Sequence, residues 1–156
     1  MEIEDVYQDF LLLKKFKSPD KIKKKMLKEL LEVTGNPWRV IGITKAALVL
    51  LKENDFKLKG AGENLPIQRA HLNDRDKWYT DLFKKEFQNH IDWYEFIYLN
   101  DRTVLALSTE NKKISEIDYI PFDEKSLLFK STRISWTHSQ EERKFLEIIY
   151  KNNTNQ

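Results

Sequence analysis

The chain has 156 residues with 27 Lys or Arg and 25 Asp or Glu, so its formal net charge is only +2. Apolar residues make up 40% of it, which is enough for one hydrophobic core and argues against disorder of most of the chain. The absence of cysteine excludes disulfides, cysteine-ligated zinc and cysteine nucleophiles. An acidic start and the lack of any apolar run near 20 residues predict a cytoplasmic protein with no membrane partner.

The first third of the chain is predicted to be helical. Apolar residues recur at spacings of three and four from Ile3 to Leu13, which indicates an amphipathic helix. Ser18-Pro19-Asp20 supplies an N-cap, a first-turn proline and a first-turn acid for a second helix. The expected buried residues of that helix are Ile22, Met26, Leu27, Leu30 and Val33. A third helix is expected to start after Thr44 and to end at Asn54-Asp55.

Positive charge is concentrated in these helices. The segment from Lys14 to Lys28 holds eight lysines and one aspartate, a local charge of +7, so the rest of the chain carries −5. One side of the helix pair is expected to contact nucleic-acid phosphates or else to be an ordinary solvated surface. The lysines proposed for this contact are Lys14, Lys17, Lys21, Lys24, Lys25 and Lys28.

The remainder of the chain is predicted to mix strands and helices. A short strand over Ile67 to Leu72 precedes a helix capped by Asn73-Asp74, and a second helix spans Asp92 to Leu99. The clearest strand is Thr103 to Leu107, after which Ser108 is placed to cap a helix.

The C-terminal part is predicted to contain one more strand and a final helix. The strand covers Thr132 to Trp136, and the helix opens with Ser139 and Glu142 in capping-box spacing before a polar tail at 151–156. Together these elements predict a mainly helical α+β protein with a sheet of two to three short strands. We expect a single domain over 1–156, with a helical part at 1–55 and a mixed part at 56–150.

His71 has the setting most suggestive of chemistry. It ends a predicted strand, and a second strand and a helix opening Ser108-Thr109-Glu110-Asn111 follow it. A histidine there can activate water as a general base, while an amide or acid on the helix holds a divalent cation against a phosphate.

The Ala70-His71-Leu72 run and the segment TVLALSTEN at 103–111 resemble the HNH-type nucleases of the ββα-metal superfamily, over about a quarter of the chain. The resemblance implies that His71 is the general base and that Asn111 ligates one Mg²⁺ or other divalent ion. Arg69 or Arg75 would then contact the phosphate. Many relatives carry a metal ligand directly before the base, where this chain has Ala70, and Asp74 is the candidate substitute.

The resemblance implies a metal-dependent DNA endonuclease of restriction or homing type. Cutting both strands of a duplex normally takes two copies, so a homodimer is expected. Three alternatives remain open. One is a non-catalytic regulator that binds nucleic acid through the lysine-rich helices, and another is a protein-interaction module. The third, a paired-carboxylate nuclease using Asp55 or Glu63, has no convincing central strand to support it.

Overall fold

The computed structural model describes residues 2–32, 39–57, 63–123 and 139–154. These ranges form a mainly helical α+β structure, as predicted. The helices are α1 (Ile3–Lys15), α2 (Asp20–Glu32), α3 (Lys45–Glu53), α4 (Arg75–Lys84), α5 (His90–Asn100) and α6 (Gln140–Thr154). The strands are β1 (Arg39–Thr44), β2 (Ile67–His71), β3 (Arg102–Leu107) and β4 (Tyr119–Pro121), and a 3-10 helix spans Asn111–Glu116. No helix in the described ranges is long and apolar enough to cross a bilayer.

The four strands form one mixed sheet in the order β2-β3-β1-β4. Strand β3 is parallel to β1 and antiparallel to β2, and β4 is antiparallel to β1. The β2–β3 ladder runs from Ile67 opposite Leu107 to His71 opposite Thr103. Because side chains alternate along a strand and opposite residues share a face, Arg69, His71 and Thr103 lie on the same face of the sheet.

The two faces of the sheet are covered by different elements. Helices α3 and α6 pack on the face that carries Arg69 and His71, and the 3-10 helix covers the other face with Ile114. The buried residues of the first face include Val40, Ile43, Leu48, Leu51, Leu105 and Leu146. Those of the second face are Ile41, Ala70, Val104, Ala106 and Ile114. A side chain from the 3-10 helix therefore packs on the opposite face from His71.

Helices α1, α2, α4 and α5 form a separate hydrophobic cluster. Its buried side chains include Val6, Phe10, Leu13, Leu27, Leu31, Leu82, Trp93 and Ile97. The apolar stripe predicted for the first helix is therefore confirmed. The burial predicted for Ile22 and Met26 was wrong, because Leu27 and Leu31 define the packed side of α2 and leave these two residues 49% and 41% exposed.

Strand β1 was not predicted, and it changes how the first third of the chain is organised. Arg39–Thr44 lies within the segment expected to be all helical, yet it pairs with both β3 and β4. The part at 1–55 is therefore not entirely helical, because it contributes one strand to the sheet. Thr44 does cap α3 as predicted, since its Oγ1 accepts a hydrogen bond from the backbone N–H of Ala47 at 3.2 Å.

Three other predictions, which concern the Ser108 cap, the C-terminal capping box and the polar tail, can be compared with the structure. Ser108 does not cap the following helix, because the N-cap position of the 3-10 helix is Glu110. The Glu110 carboxylate instead accepts from the backbone N–H of Leu107 at 2.9 Å and from Thr44 Oγ1 at 2.7 Å. The capping box of Ser139 and Glu142 is confirmed, although α6 continues through Thr154 where a polar tail was expected. The strand predicted at 132–136 lies outside the described residues.

Strand β4 packs closely against the backbone of β1 at Gly42. A Cβ added at this position would lie 2.6 Å from the backbone oxygen of Ile120 and in contact with the ring of Tyr119. Because a backbone oxygen cannot rotate away, we expect Gly42→Ala to lower the free energy of unfolding by about 1–3 kcal/mol. Urea denaturation measures this loss, with Ser108→Ala at an exposed position as the control. Equal stability of the two variants would contradict the close approach.

Candidate functional site

His71 and Asp101 meet at one end of the β2–β3 ladder. His71 is the last residue of β2, and Asp101 directly precedes β3. Because the two strands are antiparallel, the end of one lies beside the start of the other. The distance from His71 Nδ1 to Asp101 Oδ1 is 4.0 Å, which is longer than a hydrogen bond.

Asp101 is held in place by the end of α5. Its backbone N–H donates to the carbonyl oxygen of Ile97 at 2.8 Å, and the residue is only 2% exposed. A carboxylate facing one imidazole nitrogen favours the proton on that nitrogen. The electrostatic effect of this carboxylate favours the Nδ1–H tautomer, in which Nε2 carries the lone pair.

The imidazole of His71 is neutral at physiological pH. Burial lowers its pKa to about 4, and the positive charges of Arg75 and Arg69 add to this effect. The His71 side chain is nevertheless 22% exposed. A neutral imidazole that reaches solvent is a group that can accept a proton from a ligand.

Arg69 is an interior residue and does not lie at the surface. It is 8% exposed, and burial lowers its pKa to about 10, against the opposing effect of the Glu142 and Asp101 carboxylates. Arg69 therefore stays charged at neutral pH between acids that come from α6 and from the start of β3. The sequence assigned it to catalysis or phosphate contact, whereas its surroundings suit positioning of Asp101 beside His71.

An open groove of about 390 Å³ lies between α2 and α4. We call it the basic groove, and its lining residues are Lys24, Lys25, Lys28, Asp74, Arg75, Asp76 and Tyr79. Four cations and two carboxylates give this lining an excess of two positive charges. Two of the lysines are already paired, since Lys24 Nζ is 2.7 Å from Asp76 Oδ1 and Lys28 Nζ is 3.7 Å from Glu32 Oε1.

The basic groove adjoins the histidine site through α4. Arg75 lines the groove, and its charge contributes to the lowered pKa of His71. Tyr79 also lines it, and burial together with the nearby Asp101 carboxylate raises the pKa of this phenol well above its usual value. Tyr79 therefore keeps its proton at neutral pH. The lysine-rich helix and His71, two separate features of the sequence, thus come to one region.

The structure brings only half of the predicted lysine surface together. Lys24, Lys25 and Lys28 line the groove, but Lys14 Nζ bonds to Glu86 at 2.6 Å and to the carbonyl oxygen of Lys85 at 2.9 Å. Lys17 and Lys21 are exposed and are not among the groove residues.

Of the two predicted metal ligands, Asn111 lies away from His71, and Asp74 already caps a helix. Asn111 is an exposed residue of the 3-10 helix, which follows the far end of β3 and packs on the opposite face of the sheet. Asp74 caps α4, and its Oδ1 accepts from the backbone N–H groups of Asp76 and Lys77 at 2.9 and 3.1 Å. Within the ranges given above, no three His, Asp or Glu residues form a group that could hold a metal ion. These residues therefore do not fit the Mg²⁺ site that the HNH resemblance implies.

Asp101 and Tyr79 were missed by the sequence analysis. No residue was identified from the sequence as the orienting partner of His71. The antiparallel pairing of the two strands, which no local signal in the sequence determines, brings the residue before the second strand beside the end of the first. Nothing in the sequence could have placed Tyr79, since its position depends on how α4 packs against α2.

No protein-family model, curated protein or solved structure matches the chain. The geometry of the site therefore carries the functional argument alone.

The lowered pKa of His71 makes a prediction about stability. The unfolded chain binds a proton at His71 near pH 6.5 and the folded chain only near pH 4, so stability falls as pH drops from 6.5 to 4. Replacing His71 with the uncharged Gln should remove about 1–2 kcal/mol of the loss seen between pH 7 and pH 5. Urea denaturation of both proteins at the two pH values measures this difference. An identical loss in the variant would contradict a buried, neutral His71.

Proposed function

We propose that the protein is a nuclease that binds nucleic-acid phosphates in the basic groove and uses His71 as the general base. The observation that carries the proposal is the pairing of a neutral, partly exposed histidine with the buried Asp101 next to a positively charged groove. This retains the phosphodiester chemistry suggested by the sequence. It omits the metal ligand role of Asn111, because that residue lies on the other face of the sheet.

Each group in this region has a role that suits phosphodiester cleavage. His71 Nε2 accepts the proton of the attacking hydroxyl, and the Asp101 carboxylate stabilises the imidazolium that forms. Lys25, Lys28 and Arg75 lie where their charge can hold a phosphate and offset the negative charge that builds up on its oxygens. Arg69 lies close to the Asp101 carboxylate and is a positioning residue.

Cleavage is tested with plasmid DNA, single-stranded DNA and single-stranded RNA, each with Mg²⁺ and each with EDTA. Removing a general base typically costs a factor of about 10²–10⁴ in rate, so we expect His71→Ala to reduce cleavage at least 100-fold. His90→Ala is the matched control, because His90 opens α5 and is not among the residues of the site. Equal loss in both variants, or no cleavage of any substrate by the unaltered protein, would refute the nuclease proposal.

The second candidate is a non-catalytic nucleic-acid-binding protein, favoured because the groove needs no contribution from His71. Under either candidate, replacing Lys25 and Lys28 with Ala should weaken binding of a single-stranded oligonucleotide about tenfold. It should also lower the slope of log K against log salt by about 1–2.

Fluorescence anisotropy across a salt series measures both quantities. Lys112 and Lys144 are exposed lysines outside the groove, so the Lys112→Ala, Lys144→Ala double variant controls for net charge. An equal effect of the two double variants would show that the groove is not the binding surface. Absence of binding by the unaltered protein would favour a protein-interaction module.

A further inference from the structure

We infer that the substrate of this site is single-stranded RNA, whose own 2′-hydroxyl is the nucleophile that His71 deprotonates. This inference rests on the proposed nuclease function and specifies it. It starts from the disagreement between the HNH resemblance and the positions of Asn111 and Asp74.

The side chains around His71 are suited to proton transfer. Its neighbours are the buried Asp101, whose Oδ1 is 4.0 Å from Nδ1, and the cations Arg69 and Arg75, which together with burial lower its pKa. Asp101 is itself beside Arg69, and Asp74 is engaged in capping α4. The described residues thus supply a base and positive charge, and no three His, Asp or Glu residues among them form a group that could hold a metal ion.

Cleavage of RNA requires fewer functional groups from the protein than cleavage of DNA does. Cleavage of DNA requires the site to bind and activate a water molecule, whereas RNA carries its nucleophile next to the phosphate. Well-oriented intramolecular nucleophiles reach effective molarities of about 10⁵–10⁸ M, so a base and cations can suffice. The 2′-hydroxyl is also the group by which a protein distinguishes RNA from DNA.

The reaction balances with the groups present and water. The proton of the 2′-hydroxyl passes to His71 Nε2, the 2′-oxygen forms a bond to phosphorus, and the bond from phosphorus to the 5′-oxygen breaks. The departing 5′-oxygen takes a proton from water, and the imidazolium returns its proton to the hydroxide. The products are a 2′,3′-cyclic phosphate and a 5′-hydroxyl, with no change of oxidation state.

The preference for a single strand follows from the same chemistry. Attack requires the 2′-oxygen, the phosphorus and the 5′-oxygen to lie in line, which the regular backbone of an A-form duplex prevents. The basic groove is open and lined along one side by α2, so it can hold the phosphates of a strand whose bases are unpaired.

The test uses three oligonucleotides of one sequence: all RNA, all DNA, and DNA with one central ribonucleotide. In EDTA we expect cleavage of the RNA, and of the mixed strand only at its ribonucleotide. Mass spectrometry should find 2′,3′-cyclic phosphate ends. His71→Ala should reduce the rate at least 100-fold, and His90→Ala should not. His71→Gln, with circular dichroism of both His71 variants, separates loss of the base from loss of the fold.

The outcomes separate this inference from the proposal on which it depends. Cleavage of the all-DNA strand, or 5′-phosphate products that need a divalent ion, would overturn the RNA inference and leave the protein a nuclease. Binding of all three strands without cleavage would overturn both. Cleavage that survives in His71→Ala and His71→Gln would remove His71 from the reaction whatever the substrate.

Discussion

The buried charges around Arg69 are the constraint on which the site depends. A guanidinium that is 8% exposed is tolerated only when carboxylates face it, and here these come from Asp101 and Glu142. Removing one partner of such a buried group typically costs about 3–5 kcal/mol, because the other charges stay behind without compensation. The first turn of α6, the start of β3 and the middle of β2 are therefore held together by charge as well as by apolar packing. His71 owes its position beside Asp101 to this arrangement.

The same region joins the two hydrophobic parts of the molecule. The sheet with α3 and α6 forms one, and the four helices α1, α2, α4 and α5 form the other. Asp101 lies in the connection from α5 to β3, and close by Arg39 stacks 3.6 Å from the ring of Tyr98 and donates to its carbonyl oxygen at 2.9 Å. Asn73 likewise donates to the carbonyl oxygen of Asn100 at 3.2 Å. The start of β1 and the loop that follows β2 are thus both fixed to the end of α5.

Local signals in the sequence predicted most of the helices and strands, but not which residues pack against them. Caps at Thr44, Asp74 and Ser139 were readable because each depends on residues within three or four positions. The prediction of which α2 residues are buried was partly wrong, because this lysine-rich helix contains more than one pair of apolar residues that could form its packed side. Only its contact with α1 and α4 selects Leu27 and Leu31 over Ile22 and Met26.

The residues of the candidate site were harder to predict, because they come from elements that are far apart in the sequence. His71 was identifiable because a histidine at a strand end is a local feature. Asn111 could ligate a metal beside His71 only if the helix after β3 packed on the face of the sheet that carries His71. Which face that helix covers depends on the pairing of strands about 30 residues apart in the sequence. Asp101 became visible only once β2 and β3 were known to be antiparallel neighbours. Residues on a single element were therefore predictable, and the partner across the ladder was not.

A base with a pKa near 4 is weak, and the positions of the neighbouring cations suggest how binding would strengthen it. Burial and the charges of Arg75 and Arg69 together hold the pKa of His71 low in the free protein. A phosphate bound at Arg75 would offset one of these charges and raise the pKa of His71 toward the range in which general bases are most effective. Under the proposed function the base would then be stronger with substrate in the groove, because the arginine placed to bind the phosphate adds to the effect of burial in lowering the pKa of His71.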